Sequence, residues 1–227
     1  METIAERLKS AYQTIKQSAL DAHRPTNAVK LLAVSKTKPV SDIVQAYEAG
    51  QRLFGENYVQ EAVDKIQALA HCRDIEWHFI GPIQSNKTRL IAEHFHWVHS
   101  IDRLKIAQRL NEQRSPYRIL DFCIQVNVDD EASKAGIAVD EVMAFAAQLA
   151  ELPNLRLRGL MCIPQAQASR QQQIQSFATM AQLFNQLREQ YPQVDTLSMG
   201  MSDDMALAIL HGSTMVRLGT AIFGTRA

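Results

Sequence analysis

Three cysteines are too few and too far apart to hold this chain together. Cys72, Cys123 and Cys162 include no CxxC pair, so neither a disulfide framework nor a zinc site is implied and a reducing compartment is expected. Charge of one sign is missing too: 24 basic residues balance 24 acidic ones, where a nucleic-acid-binding chain would carry a basic surplus. No apolar run approaches the length of a membrane span, and no basic amphipathic face is evident. The opening Met1-Glu2-Thr3-Ile4-Ala5-Glu6 lacks the basic-then-apolar pattern of a signal sequence. Nine glycines and seven prolines are scattered, so no linker divides the chain. These absences lead us to expect a cytoplasmic protein with no membrane or nucleic-acid partner, folded as one domain over residues 1–227.

What is present is an alternation. The chain has 227 residues, 46% of them hydrophobic, enough to bury a full core. Ile4, Leu8, Ala11, Tyr12, Ile15 and Ala19 recur at three- and four-residue steps, which predicts an amphipathic helix ahead of any strand. Strands are then predicted at 31–35, 52–54, 77–80, 96–99, 122–126, 155–161, 196–198 and 215–218. Helical segments separate them, with Ser41 and Asp102 as expected caps and Gly55-Glu56-Asn57 as an expected turn. Eight strands with intervening helices match the (β/α)8 TIM-type barrel better than an open doubly wound sheet. The sequence ends at Ala227, too soon for a full eighth helix, so the leading helix is expected to cover that place.

Chemistry is expected at the strand carboxyl ends, the functional face of parallel α/β folds. Lys36 ends the first strand and Pro39 bars further ladder pairing. It is either a solvated loop charge or a candidate for covalent work. After strand seven comes Met199-Gly200-Met201-Ser202-Asp203-Asp204, and after strand eight Gly219-Thr220. Each loop alone reads as ordinary turn and cap residues. Two of them where barrels commonly hold a phosphate favour an anion cradle, with Ser202 placed to cap a helix. Arg217, inside an apolar strand, is either half of an ion pair or aimed at a ligand. His94, His96 and His99 look metal-like, but alternation puts His96 and His99 on opposite strand faces, so they read as rim or surface residues and no metal site is expected. Asn86-Lys87-Thr88-Arg89 lacks a glycine-rich phosphate loop around it and reads as a solvated helix face.

These stretches carry a resemblance. Ala-Val-Ser-Lys-Thr-Lys-Pro at 33–39, Phe-Gly-Glu-Asn-Tyr at 54–58, Trp-His-Phe-Ile-Gly-Pro-Ile-Gln-Ser-Asn-Lys at 77–87, Arg-Gly-Leu-Met at 158–161, Ser-Met-Gly-Met-Ser-Asp-Asp at 198–204 and Val-Arg-Leu-Gly-Thr-Ala-Ile-Phe-Gly at 216–224 resemble the pyridoxal phosphate homeostasis proteins. That family is similar to the N-terminal barrel of alanine racemase, the fold-type III group of pyridoxal 5′-phosphate (PLP) proteins, and has no established catalytic activity.

The resemblance implies a PLP-binding protein of vitamin B6 balance. Lys36 matches the lysine of the internal aldimine; a neutral amine is needed for that attack, and a desolvating barrel mouth would lower its pKa from about 10.4. Ser202, Gly219 and Thr220 match the phosphate cradle, and Arg217 the arginine facing the pyridine nitrogen. Asn57 and Met161 fall at the rim to touch the ring. Apart from the resemblance, Lys38 and Lys134 read by default as solvated lysines, and are otherwise reachable amines for a second or transient cofactor molecule. The resemblance further implies transient contact with PLP-dependent apo-enzymes, and a monomer is expected. The alternative is a fold-type III enzyme such as a small amino-acid racemase or lyase, although the second domain that racemases use is not in this sequence.

Overall fold

A computed structural model of the chain describes residues 2–131, 134–165 and 168–225. Eight strands, β1 (Lys30–Val34), β2 (Leu53–Glu56), β3 (Glu76–Phe79), β4 (Trp97–Ile101), β5 (Leu120–Gln125), β6 (Leu155–Met161), β7 (Thr196–Ser198) and β8 (Met215–Leu218), pair in chain order. Every pairing is parallel, and β8 returns to β1 through Lys30↔Met215 to Ala33↔Leu218, closing the barrel. Closure leaves no unpaired edge.

Helices follow each strand: α2 (Val40–Glu48), α3 (Val59–Ala68), α4 (Thr88–His94), α5 (Leu104–Gln113), α6 (Val142–Leu149), α7 (Arg170–Gln190), α8 (Met205–Leu210) and α9 (Thr220–Phe223). The leading helix α1 (Ile4–Asp21) opens with a capping box between Thr3 and Glu6. It buries Ile4, Leu8, Ala11, Ile15 and Ala19, the predicted stripe. α9 has four residues, and α1 packs against α8 and α9 to complete the outer ring, with Arg7 Nε donating to the Ile222 carbonyl.

Strand alternation sends most apolar side chains outward. Leu31, Ala33, Phe54, Phe79, Val98, Phe122 and Leu197 join the helices in one continuous core, while Trp97, Cys123 and Met161 form a separate small cluster. The other alternating positions also carry polar groups such as His78, His99, Ser198 and Arg217, and at the amino ends of β5 and β6 Asp121 lies between Arg156 and Arg158, with Arg158 also paired to Asp195.

Four local expectations are corrected. Ser41 lies inside α2, whose N-cap is Pro39 without a side-chain cap bond. The chain does not turn at Gly55-Glu56, which are the last two residues of β2, because both continue the ladder with β3. Asp102 does not cap α5, which starts after Arg103; its carboxylate instead accepts from the Gly136 amide. Ser202 does not cap α8 either: Asp204 holds the N-cap position and accepts from the Met201 amide.

Candidate functional site

The carboxyl ends of β1 and β8 meet in a concavity lined by Val34, Lys36, Thr37, Lys38, Gly219, Thr220 and Gly224. Larger concavities lie elsewhere, between α1 and α8 and beside α7, but they are not built on strand carboxyl ends. Lys36 is half-buried, two residues past the end of β1. Directly after it Thr37 takes φ +64°, a left-handed conformation that costs a β-branched residue about 1–2 kcal/mol. The cost is met locally, since the Thr37 amide donates to Glu61 Oε1 at 2.7 Å. Gly219 lets β8 approach β1: a Cβ there would sit 3.2 Å from the Val34 carbonyl oxygen.

A buried ionic cluster holds this loop from below. The Lys65 ammonium donates to the Ser35 carbonyl at 2.8 Å, to Glu56 Oε1 at 2.9 Å and to Glu61. Ser35 Oγ donates to the same Glu56 oxygen at 2.6 Å. Burial pushes the Glu56 carboxyl above its ordinary range, with Lys65 and Ser35 opposing it, and among the described residues Glu56 Oε2 has no hydrogen-bond partner. The cluster therefore ties α3 and β2 to the strand end that presents Lys36.

Arg217 is buried and lies in the barrel interior. Its guanidinium donates to Ser198 Oγ at 2.8 Å and to the Cys162 carbonyl at 2.9 Å. Burial draws it below its ordinary value, and among the described residues it has no carboxylate ion pair, so the ion-pair reading of this strand arginine is not the one realised. Beyond Ser198 the bonds run on, from its Oγ to His99 Nδ1, from His99 Nε2 to His78 Nδ1, and from His78 Nε2 to Glu76. His99 is fully buried, so its reading as a rim or surface residue is overturned; alternation turns it inward beside Trp97. His96 lies before β4, where its Nδ1 accepts from the Trp77 amide.

The other expected residues are distributed around this mouth. Asn57 follows β2, and its side-chain oxygen is buried without a partner among the described residues. Met161 ends β6, fully buried against Trp97 and Cys123. Ser202 is exposed and lines an adjoining concavity with Arg7, Met205, Leu218 and Ala221. Lys38 is tied to the Thr225 carbonyl at 2.8 Å. Lys134 pairs with Glu131 at 3.1 Å and Asp129 at 3.8 Å, so its amine is held by acids rather than presented alone.

Sequence reasoning missed Glu56, Lys65 and His78, and placed His99 at the rim. A signal existed for Lys65, an i,i+4 partner of Glu61 on α3. For the histidines it was the inward register they share with Trp97, legible only once the barrel is closed.

Known proteins share the sequence and the fold of this chain. The family model of the alanine racemase N-terminal domain matches residues 6–227. The pyridoxal phosphate homeostasis protein of Pasteurella multocida is 58% identical over 228 residues, covering 99% of this chain and 98% of that one. The chain belongs to the pyridoxal phosphate homeostasis protein family. The family member of Escherichia coli K12 is 54% identical over 230 residues, covering 100% and 98%. Among solved structures, PipY of Synechococcus elongatus with PLP bound is 39% identical at a TM-score of 0.83, covering 98% of this chain and all of that one. Alanine racemase of Corynebacterium glutamicum shares the fold, with a TM-score of 0.74 at 16% identity over 60% of its length. No helix among the described residues is long and apolar enough to cross a membrane.

Proposed function

We propose that this chain binds PLP at the carboxyl rim of its barrel and acts as a cofactor carrier in PLP homeostasis. The observation that carries the reading is the meeting of Lys36 with Gly219 and Thr220 in one concavity between β1 and β8. The names of its relatives and the PLP-bound PipY structure support it.

The residues present fit the group. The unpartnered oxygen of Asn57 needs a donor, which a ring hydroxyl provides. Gly219 leaves space that a side chain would fill, and Ser202 and Thr220 offer hydroxyls to an anion. When bound, PLP supplies an aldehyde that reacts reversibly with amines and a ring that withdraws electrons. Lys36 would hold the aldehyde carbon through its ε-amine. Ser202, Gly219 and Thr220 would bind the phosphate, and Asn57 and Met161 would orient the ring. Arg217 would donate to the pyridine nitrogen without giving up its proton, leaving the ring a weak electron sink. That favours holding and releasing the cofactor over transforming an amino acid.

On this reading the chain works as a cytoplasmic monomer that meets apo-enzymes transiently. The test is to load the protein with PLP, mix it with a PLP-dependent apo-enzyme and follow the recovery of that enzyme's activity. Recovery faster than from an equal concentration bound to a non-specific carrier is the expected result. Bound cofactor that never exchanges would refute it. Steady turnover of an amino acid by the chain itself, abolished in Lys36→Ala, would transfer the assignment to the racemase or lyase alternative.

A further inference from the structure

Among the described residues Arg217 is a fully buried cation without a carboxylate partner, and the bonds behind it cross the whole barrel. They pass from β8 to β7, over the interior to β4, then to β3, ending at Glu76, whose side chain is 40% exposed at the amino end. The distances are 2.8 Å from Arg217 to Ser198, 2.9 Å from Ser198 to His99, 2.9 Å between the imidazoles, and 3.0 Å from His78 to Glu76. His78 also stacks on Trp97, ring centroids 5.2 Å apart, which fixes its plane.

We propose that Glu76, His78, His99 and Ser198 form a one-way hydrogen-bond wire that sets the Arg217 guanidinium from the opposite end of the barrel, making all four positioning residues for the ligand at the rim. The direction is fixed at the Glu76 carboxylate, which can only accept, and the Arg217 end is compatible with it. A guanidinium only donates, so Ser198 Oγ accepts from Arg217 and is free to donate its own hydrogen to His99 Nδ1. His99 then carries its hydrogen on Nε2 and donates to His78 Nδ1, and His78 donates from Nε2 to the Glu76 carboxylate. Reversed, the wire would point the bare lone pair of His78 Nε2 at a carboxylate. Burial holds both imidazoles toward the neutral form, so an extra proton does not remove the conflict. Glu76 thus selects one tautomer at each ring, and the wire joins an anion at one end of the barrel to a cation at the other. Among the described residues two of the five N–H groups of Arg217 are committed, to Ser198 and Cys162, which leaves the others to a ligand.

Part of the test is independent of any ligand; the other part rests on the PLP reading above. In 15N spectra of histidine-labelled protein, His78 and His99 are expected as single Nε2–H tautomers, and Glu76→Gln is expected to turn these into mixtures. Nδ1–H on both rings, or spectra unmoved by Glu76→Gln, would overturn the wire. With PLP added, Ser198→Ala is expected to raise Kd roughly tenfold, the loss of one bond to a charged group. It should also shift the visible band while Lys36 is still the residue modified, and Ser198→Thr should restore both. Unchanged affinity and spectrum in Ser198→Ala would refute the positioning role. If the unaltered protein binds no PLP, the proposed function and the role of the wire toward PLP fall together, while the histidine spectra still decide the wire.

Discussion

Replacing Lys65 with methionine tests how the lysine-bearing strand end is supported. The side chains of Lys65 and Glu56 are 6% and 0% exposed, so the change leaves a buried carboxylate with only the Ser35 hydroxyl as a partner. Removing one member of a buried pair costs about 3–5 kcal/mol, and Glu61, a third exposed, adds little. For a chain of this size that corresponds to a fall in Tm of roughly 6–20 °C. The pH dependence is specific. Glu56 already titrates above the ordinary range because burial outweighs its partners, so ionising it costs stability as pH rises through its folded pKa. Loss of the ammonium raises that pKa further. The deficit of Lys65→Met should therefore be largest above the raised folded pKa of Glu56 and shrink as pH falls through it, as protonation removes the stranded charge. Calorimetry at several pH values, with Lys65→Met/Glu56→Gln as the repaired double variant, is the assay. A deficit that is flat with pH, or a double variant no more stable than the single one, would refute the reasoning.

Three further outcomes follow from the same packing. Gly81→Ala would put a Cβ 2.3 Å from the Asn57 carbonyl oxygen, so it should cost about 2–3 kcal/mol and weaken PLP retention by displacing Asn57, read by Tm and equilibrium dialysis. Arg114 donates to the carbonyls of Ala92, Phe95, Arg118 and Ile119. Arg114→Lys should cost about 2–3 kcal/mol, because an ammonium cannot reproduce that fork, seen as a lower urea midpoint at constant m. Burial pushes the Cys162 thiol up to about 12 and raises Cys123 as well. A disulfide reagent at pH 8 should therefore leave both untouched in the folded protein and modify both after denaturation.

The barrel was legible because its signal is repeated. Eight short apolar runs, each followed by a helical stripe, survive errors of one or two residues at any single end, and β6, β7 and β8 fall where periodicity puts them. Caps were less legible. Ser41, Asp102 and Ser202 are residue types that favour caps, but the register of each helix is decided by which face the barrel buries, and that moved the starts to Val40, Leu104 and Met205. The glycine and lysine positions of the rim could be read because strand ends are marked by Pro39 and Gly219. The buried wire could not. Nothing in the local pattern around His78 or His99 says that β4 will face β7 across an interior only wide enough for side chains.

The central claim is that Lys36 carries PLP. The direct measurement is an absorbance spectrum of the protein with added PLP, before and after borohydride, followed by peptide mapping. The expected result is a visible band that reduction removes, leaving the label on the peptide containing Lys36 and none in Lys36→Ala. A protein that stays colourless with PLP, or a label spread over surface lysines and unchanged in Lys36→Ala, would contradict it.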